Sequence, residues 1–304
     1  MKKRKRYRRY IPLFFMMLPG FAYLLVNNYM PLFGLIIAFK KMDYSKGIWK
    51  SDWLGLRNFE FLFRTSDAFV ITRNTILYNI AFIVINTILA LLIAILLNEI
   101  RNKHFAKFYQ TVIILPSLIS MIIVSYLAYA FLSADNGYLN NTILKALHME
   151  SVSWYTKASA WPFILIFINA WKGVGQTSLI YFAAVIGVNK DYYESAMLDG
   201  AGFWKRLYYI TLPCIRSVII VMVLLAIGKI FYSDFGLFFQ VPMNSGAIYS
   251  TTNTIDTYVY RGLMELGDVG MSSAAGLYQS VVGFILVLIS NLIVKKIDPD
   301  SAMF

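Results

Sequence analysis

The chain has 304 residues, 59% of them hydrophobic and only 14% charged, and a formal net charge of +12. A soluble domain is about a quarter charged, so these residues cannot coat a water-facing surface, and an ordinary soluble globular protein is excluded. Lipid as the solvent is the alternative: a spanning helix needs about 20 consecutive apolar residues, and several such runs are present.

The chain opens on a basic head, MKKRKRYRR, which holds seven of the 28 Lys and Arg residues. Such a head can bind nucleic acid or anionic lipid. Directly before a hydrophobic run it reads as a cytoplasmic anchor, with membrane lipid and no nucleic acid as its partner. A cleavable signal peptide fits poorly, because IPLFFMMLPGFAYLL continues without a small-residue cleavage site. Six spans follow. The first covers Ile11 to Phe39, with Pro19 and Pro31 placed to bend or interrupt it. The second runs from Thr72 to Leu97 and the third from Thr111 to Ala134, with Pro116 inside. The fourth runs from Ala160 to Val188 and opens at Pro162, near a first turn. The fifth starts at Pro213 and fades near Phe239, and the sixth runs from Met271 to Val294.

The organisation expected is therefore an all-α integral membrane protein. It has a basic cytoplasmic N-terminus at 1–10, one six-helix transmembrane domain at 11–295 and a cytoplasmic tail at 296–304. With that orientation fifteen basic residues lie inside and nine outside, in the sense of the positive-inside rule. The first outer loop is the awkward case, with six basic residues between Lys40 and Arg64. In the sixth span Ser272, Gly276 and Ser280 recur every four residues, a spacing that lets a neighbouring span or a partner subunit approach closely. Cys214 is the only cysteine, so no disulfide forms within the chain.

Between the fourth and fifth spans lies a polar, glycine-broken stretch at 189–213. Asp191 and Glu194 fit an N-cap and a capping-box acid, predicting a short helix over Tyr192–Leu198. Asp199–Gly200 is a turn signal, since glycine accepts the left-handed conformation that ends helices. An amphipathic pattern resumes over Phe203–Ile210, and Pro213 suits the first turn of the next span. The result is a helix–turn–helix across the inner membrane face. Its small residues, among them Ser195, Ala196, Gly200 and Ala201, leave a surface that another protein can approach.

This stretch resembles the signature of ABC importer permeases: Glu-Ala-Ala, then Asp-Gly-Ala, then Ile-x-Leu-Pro. Here these stand as Glu194-Ser195-Ala196, Asp199-Gly200-Ala201 and Ile210-Thr211-Leu212-Pro213. Ser195 replaces an alanine, and Ser217 stands where relatives often have a second proline. WLGLRNFEFLF at 53–63 resembles a segment of sugar-type permeases. LNEIRNKHFAKFYQTVIILPSLIS at 97–120, NAWKGVGQTSLIYFAA at 169–184 and DTYVYRGL at 256–263 resemble the branch importing oligosaccharides and polysaccharide fragments. The resemblance implies a type I ABC importer permease fold with a cytoplasmic coupling helix between spans four and five. That helix would dock in a cleft of a cytoplasmic ATPase dimer, with Glu194 meeting a basic group and Gly200 allowing the bend. The other implied partners are a second homologous permease, an extracellular lipid-anchored or periplasmic solute-binding protein, and a carbohydrate. ATP and magnesium would be bound by the ATPase, and this chain would hold no cofactor.

Other residues weigh rival functions. No G-x-x-x-x-G-K-S/T loop occurs, and GVGQTS at 173–178 lacks the lysine and lies in a span, which reads as helix packing. A membrane enzyme would want clustered carboxylates or histidines. His104 and His148 are the only histidines, and the topology puts them on opposite sides. An ion-gradient transporter would use intramembrane charge, for which Lys172, Arg216, Lys229 and Asp234 are candidates. Lys172 lies deepest, which suits a cavity or a partner acid on the other permease. For a sugar route, hydroxyl partners and aromatic faces are available in Asn79, Asn86, Tyr126, Tyr129, Trp171, Gln176, Tyr232 and Tyr278.

Overall fold

The computed structural model describes residues 10–60, 64–297 and 299. The basic head over 1–9 and most of the tail beyond 297 lie outside the described residues. The described residues are mostly helical. Among the described residues four helices are long and apolar enough to cross a membrane, and up to six spans result if each of two bent helix pairs counts as one.

The residues fall into two compact units. The first comprises residues 1–64 with 259–278. Its helix α1, Ile11–Leu24, continues through a π turn, Leu25–Tyr29, into a 3-10 segment, Met30–Phe39. Pro19 lies inside α1 and Pro31 opens the 3-10 segment, so the prolines change the winding without ending the rod. A two-residue ribbon follows, β1 (Lys40–Lys41) against β2 (Asp52–Trp53). Four residues of the WLGLRNF segment have a visible role around it. Trp53 stacks on Phe39 at 5.8 Å, Gly55 takes φ +63, and Phe59 packs on Phe39 at 5.5 Å. The Asn58 amide donates to the carbonyls of Ala38 (3.0 Å) and Lys40 (2.9 Å), which closes the end of the 3-10 segment. Lys40 is buried, its ammonium donating to the carbonyls of Ile48 (2.9 Å) and Trp49 (2.8 Å). In the same loop Ser45 donates backbone and hydroxyl hydrogen bonds to Asp43, which hold its carboxyl below the usual range.

The second unit comprises residues 65–258 with 279–304. Helix α2, Ser66–Asn98, begins six residues before the expected Thr72, because the Thr65 hydroxyl accepts from the Ala68 N–H and starts the helix among polar residues that hydropathy alone leaves out. The expected third span is instead two helices, α3 (Lys103–Leu118) and α4 (Met121–Leu132), which meet at 92°. Pro116 disturbs the last turn of α3, Ile119 is extended, and Ser120 caps α4. Helix α5, Trp161–Ile186, opens with proline in its first turn as expected. Short α6 (Lys190–Leu198) and α7 (Phe203–Cys214) lead to α8 (Arg216–Ile227), with a 62° bend between α7 and α8. Pro213 therefore lies in the last turn of α7 and not at the start of α8, and α8 stops at Ile227, well before Phe239. The chain closes with α9 (Ile255–Met264) and α10 (Val269–Ile297), of which residues 259–278 are counted in the first unit.

The core of this unit packs α2, α4 and α5 around Tyr78, Phe82, Trp161, Leu165 and Phe238. GVGQTS is helix packing: α3 passes so close that a methyl group on Gly175 would overlap the Ile113 carbonyl. At Gly276, in the predicted small-residue stripe, an added Cβ would meet nothing within 4 Å. Ser272 and Ser280 of the stripe do meet other elements, through the Val259 carbonyl (3.1 Å) and the Tyr232 hydroxyl (2.9 Å), and α10 is also approached closely at Gly228, where a Cβ would lie 2.8 Å from Val287.

Candidate functional site

The α6–α7 elbow is built by local chemistry. The cap of α6 is Asn189, whose side-chain oxygen accepts from the Asp191 N–H at 3.1 Å, and not Asp191 as the acid spacing suggests. Asp191 instead lies in the first turn, where the helix dipole favours an acid. The other end closes as a Schellman motif: the Gly200 N–H donates to the Met197 carbonyl (3.0 Å) and the Ala201 N–H to the Ala196 carbonyl (2.8 Å). Gly200 takes φ +76 with open space around it, so the backbone, not crowding, requires glycine there. The Tyr193 hydroxyl meets the buried Thr211 hydroxyl at 3.0 Å and ties α6 to α7. That latch escapes sequence reading, because Thr211 occupies the variable position of Ile-x-Leu-Pro.

The elbow shows an apolar outer face. Leu198 is 89% exposed and Trp204 75%, with Tyr192, Met197, Tyr208 and Tyr209 also exposed. Glu194, Ser195, Asp199 and Pro213 are exposed, while Ala196, Ala201 and Leu212 are half-buried. Glu194 makes no ion pair among the described residues. These exposed apolar side chains lie on the same elbow as the Glu194 carboxylate.

The residues considered for a solute route are not gathered in one place. Asn86 donates to Asn169 at 2.8 Å across the α2–α5 contact. Tyr126, Tyr129 and Gln176 are exposed, and Tyr129 lies 5.7 Å from the Tyr155 ring. Trp171 lines a cavity of about 640 Å³ between α4 and α5 with Leu127, Phe131, Phe163 and Phe167. That cavity offers a sugar no hydrogen-bond partner. Lys172 finds its partners within the chain: its ammonium donates to the carbonyls of Ser117 (3.2 Å), Pro116 (3.5 Å) and Ile119, at the C-terminal end of α3. Tyr278 is half-buried in the first unit.

Asn79 and Tyr232 do belong to one construction, the unwound segment after α8. Asn79 donates to the carbonyls of Ile230 (3.0 Å) and Tyr232 (2.9 Å), and Gln279 donates to that of Phe231 (2.7 Å). Asp256 accepts from the Ser233 N–H (2.6 Å) and hydroxyl (2.7 Å), and the Tyr232 hydroxyl meets Ser280 at 2.9 Å. Side chains thus take over the bonds a helix would supply, which non-helical backbone within a span requires. Gln279 and Asp256 were not among the predicted site residues; their signal was a polar side chain inside an apolar run and the acid that opens DTYVYRGL.

A family profile described as "Binding-protein-dependent transport system inner membrane component" matches residues 86–299. The chain belongs to that family. Among curated members it is 34% identical to Protein LplB of Bacillus subtilis (strain 168), over 95% of this chain and 90% of that protein. It is also 34% identical to the polygalacturonan/rhamnogalacturonan transport system permease protein YteP of the same organism, over 99% and 94%. A solved bacterial ABC transporter involved in import of the acidic polysaccharide alginate contains a chain 30% identical to this one, with TM-score 0.89, covering 98% of this chain and all of the other. A second structure, the alginate transporter in complex with an alginate pentasaccharide-bound periplasmic protein, gives 31% identity and TM-score 0.87 over 96% and 97%. This inner membrane component therefore shares the fold of ABC importer permeases.

Proposed function

We propose that this chain is the membrane-spanning permease subunit of a bacterial ABC importer. It passes an oligosaccharide, handed over by an extracellular solute-binding protein, across the cytoplasmic membrane. Each bent helix pair counts as one span, giving six, with both termini in the cytoplasm. Helix α6 is the coupling helix, and ATP and magnesium are held by an ATPase dimer that docks on it. A second homologous permease completes the route. The observation that carries this reading is the elbow: a Schellman-closed helix with a free Glu194 and exposed Leu198 and Trp204, in the stretch between α5 and α8 of a family member. Carbohydrate as cargo is supported by relatives named for polygalacturonan/rhamnogalacturonan and alginate transport.

Gly200→Asp tests the elbow. A side chain at φ +76 costs about 1 kcal/mol and places a charge at the docking corner, so insertion into the membrane survives while import and ATPase co-purification fall together. Wild-type import in this variant refutes the coupling role. Deletion of the gene should abolish uptake of an oligosaccharide and re-expression should restore it. Loss of amino-acid uptake, with growth on glycans unchanged, refutes the cargo.

A further inference from the structure

One face of α2 carries an exposed stripe: Phe69, Leu77, Ile80, Val84, Ile88, Leu92 and Leu96, all apolar. Arg73 is exposed in the same register, between Phe69 and Leu77, its guanidinium 6.0 Å from the Phe69 ring centre. The helix has 33 residues, about 50 Å at 1.5 Å per residue, against a hydrocarbon core of about 30 Å. That excess lets its N-terminal turns, with Arg73 at their end, reach headgroup depth.

Beside Arg73 is a notch of about 280 Å³ between α2 and the start of α5. Its polar lining groups are already engaged. The Asn74 amide donates to the carbonyls of Asn253 (2.9 Å) and Ser250 (3.2 Å), and its oxygen accepts from Arg73. The Tyr78 hydroxyl donates to the Thr251 carbonyl (2.8 Å), and the Thr251 hydroxyl to that of Ala158 (2.9 Å). Arg73 is oriented by the Asn74 oxygen (3.0 Å) and the Ser250 carbonyl (2.9 Å) through one terminal nitrogen. Its other terminal nitrogen has no acceptor, and no carboxylate pairs with it, among the described residues. The rest of the notch is Leu77, Ala81 and Ile166.

We propose that this notch binds an anionic phospholipid, with a phosphate oxygen on Arg73 and an acyl chain along Leu77, Ala81 and Ile166. One oriented cationic donor above apolar walls fits an anion with an apolar body. An oligosaccharide, even an acidic one, would need several further hydrogen-bond partners for its hydroxyls, and none is left unused. The site shares no residue with the elbow.

The test uses the full-length chain with its co-purifying subunits, delipidated in detergent and titrated with phosphatidylglycerol or phosphatidylcholine, with bound lipid read by native mass spectrometry. Phosphatidylglycerol should bind about tenfold more tightly than phosphatidylcholine. Arg73→Gln should remove that preference, a loss of about tenfold, and Arg73→Lys should keep it. Ala81→Trp fills the groove with the guanidinium intact and should weaken both lipids. Equal phosphatidylglycerol binding by Arg73→Gln and wild type overturns the proposal, as does its displacement by inorganic phosphate or galacturonate oligosaccharide. If Arg73→Gln does not accumulate, unchanged binding in Ala81→Trp overturns it alone.

Discussion

Replacing Lys172 with methionine removes the ammonium that closes the end of α3 while keeping most of the side chain's apolar bulk. The structure gives it one bond of 3.2 Å to Ser117, a shorter one to Ile119 and a marginal one of 3.5 Å to Pro116. Two firm charge-assisted hydrogen bonds contribute about 1.5–3 kcal/mol each, so about 3–6 kcal/mol is lost. Against this, the variant no longer holds a charge inside a span, which returns about 2.5–3.5 kcal/mol. The net destabilisation centres on about 1.5 kcal/mol, concentrated at the 92° corner between α3 and α4. Thermal unfolding in detergent should show a midpoint lowered by several degrees. A spin-label distance between α3 and α4 should broaden, because the carbonyls released at the corner no longer share one partner. If melting and distance distribution both match wild type, the ammonium does not hold the corner. A sharp, shifted distance would instead mean that the corner has another stable angle.

Three further outcomes follow from the packing. Gly175→Ala places a methyl on the Ile113 carbonyl, so α3 and α5 separate at a cost of about 1–3 kcal/mol, read as reduced accumulation and a lower melting midpoint; wild-type stability would mean that the approach is looser than described. Asn58→Ala leaves the Ala38 and Lys40 carbonyls uncapped, costing about 1–3 kcal/mol, and protease should then cut within residues 40–60 faster than in wild type. Burial pushes the Tyr155 phenol up from 10 to about 12, with the nearby Tyr129 adding to the shift. Folding thus favours the protonated phenol, a contribution fully present below pH 10 and lost as pH rises towards 12. Tyr155→Phe should reduce the alkaline sensitivity of unfolding in that window, and identical pH profiles would refute the assignment.

Much of this protein is determined by sequence alone. Low charge and long apolar runs require lipid as solvent, and the four long helices lie where hydropathy puts them, because burying apolar length depends on composition and not on neighbours. The elbow is equally local. Its Schellman turn at Gly200 needs only residues from Ala196 to Ala201, and the short helix ends where Asp199–Gly200 predicts. What tertiary structure decided is where rods break and which polar groups repair them. Pro116 lies inside the expected third span, but the carbonyls at the 92° corner are bonded by Lys172, more than fifty residues later in the chain. The unwound stretch after Ile227 depends on Asn79 and Gln279 from two other helices. An apolar run states that a segment can lie in lipid; an unpaired carbonyl there must find a donor, and which donor reaches it is a matter of three-dimensional proximity.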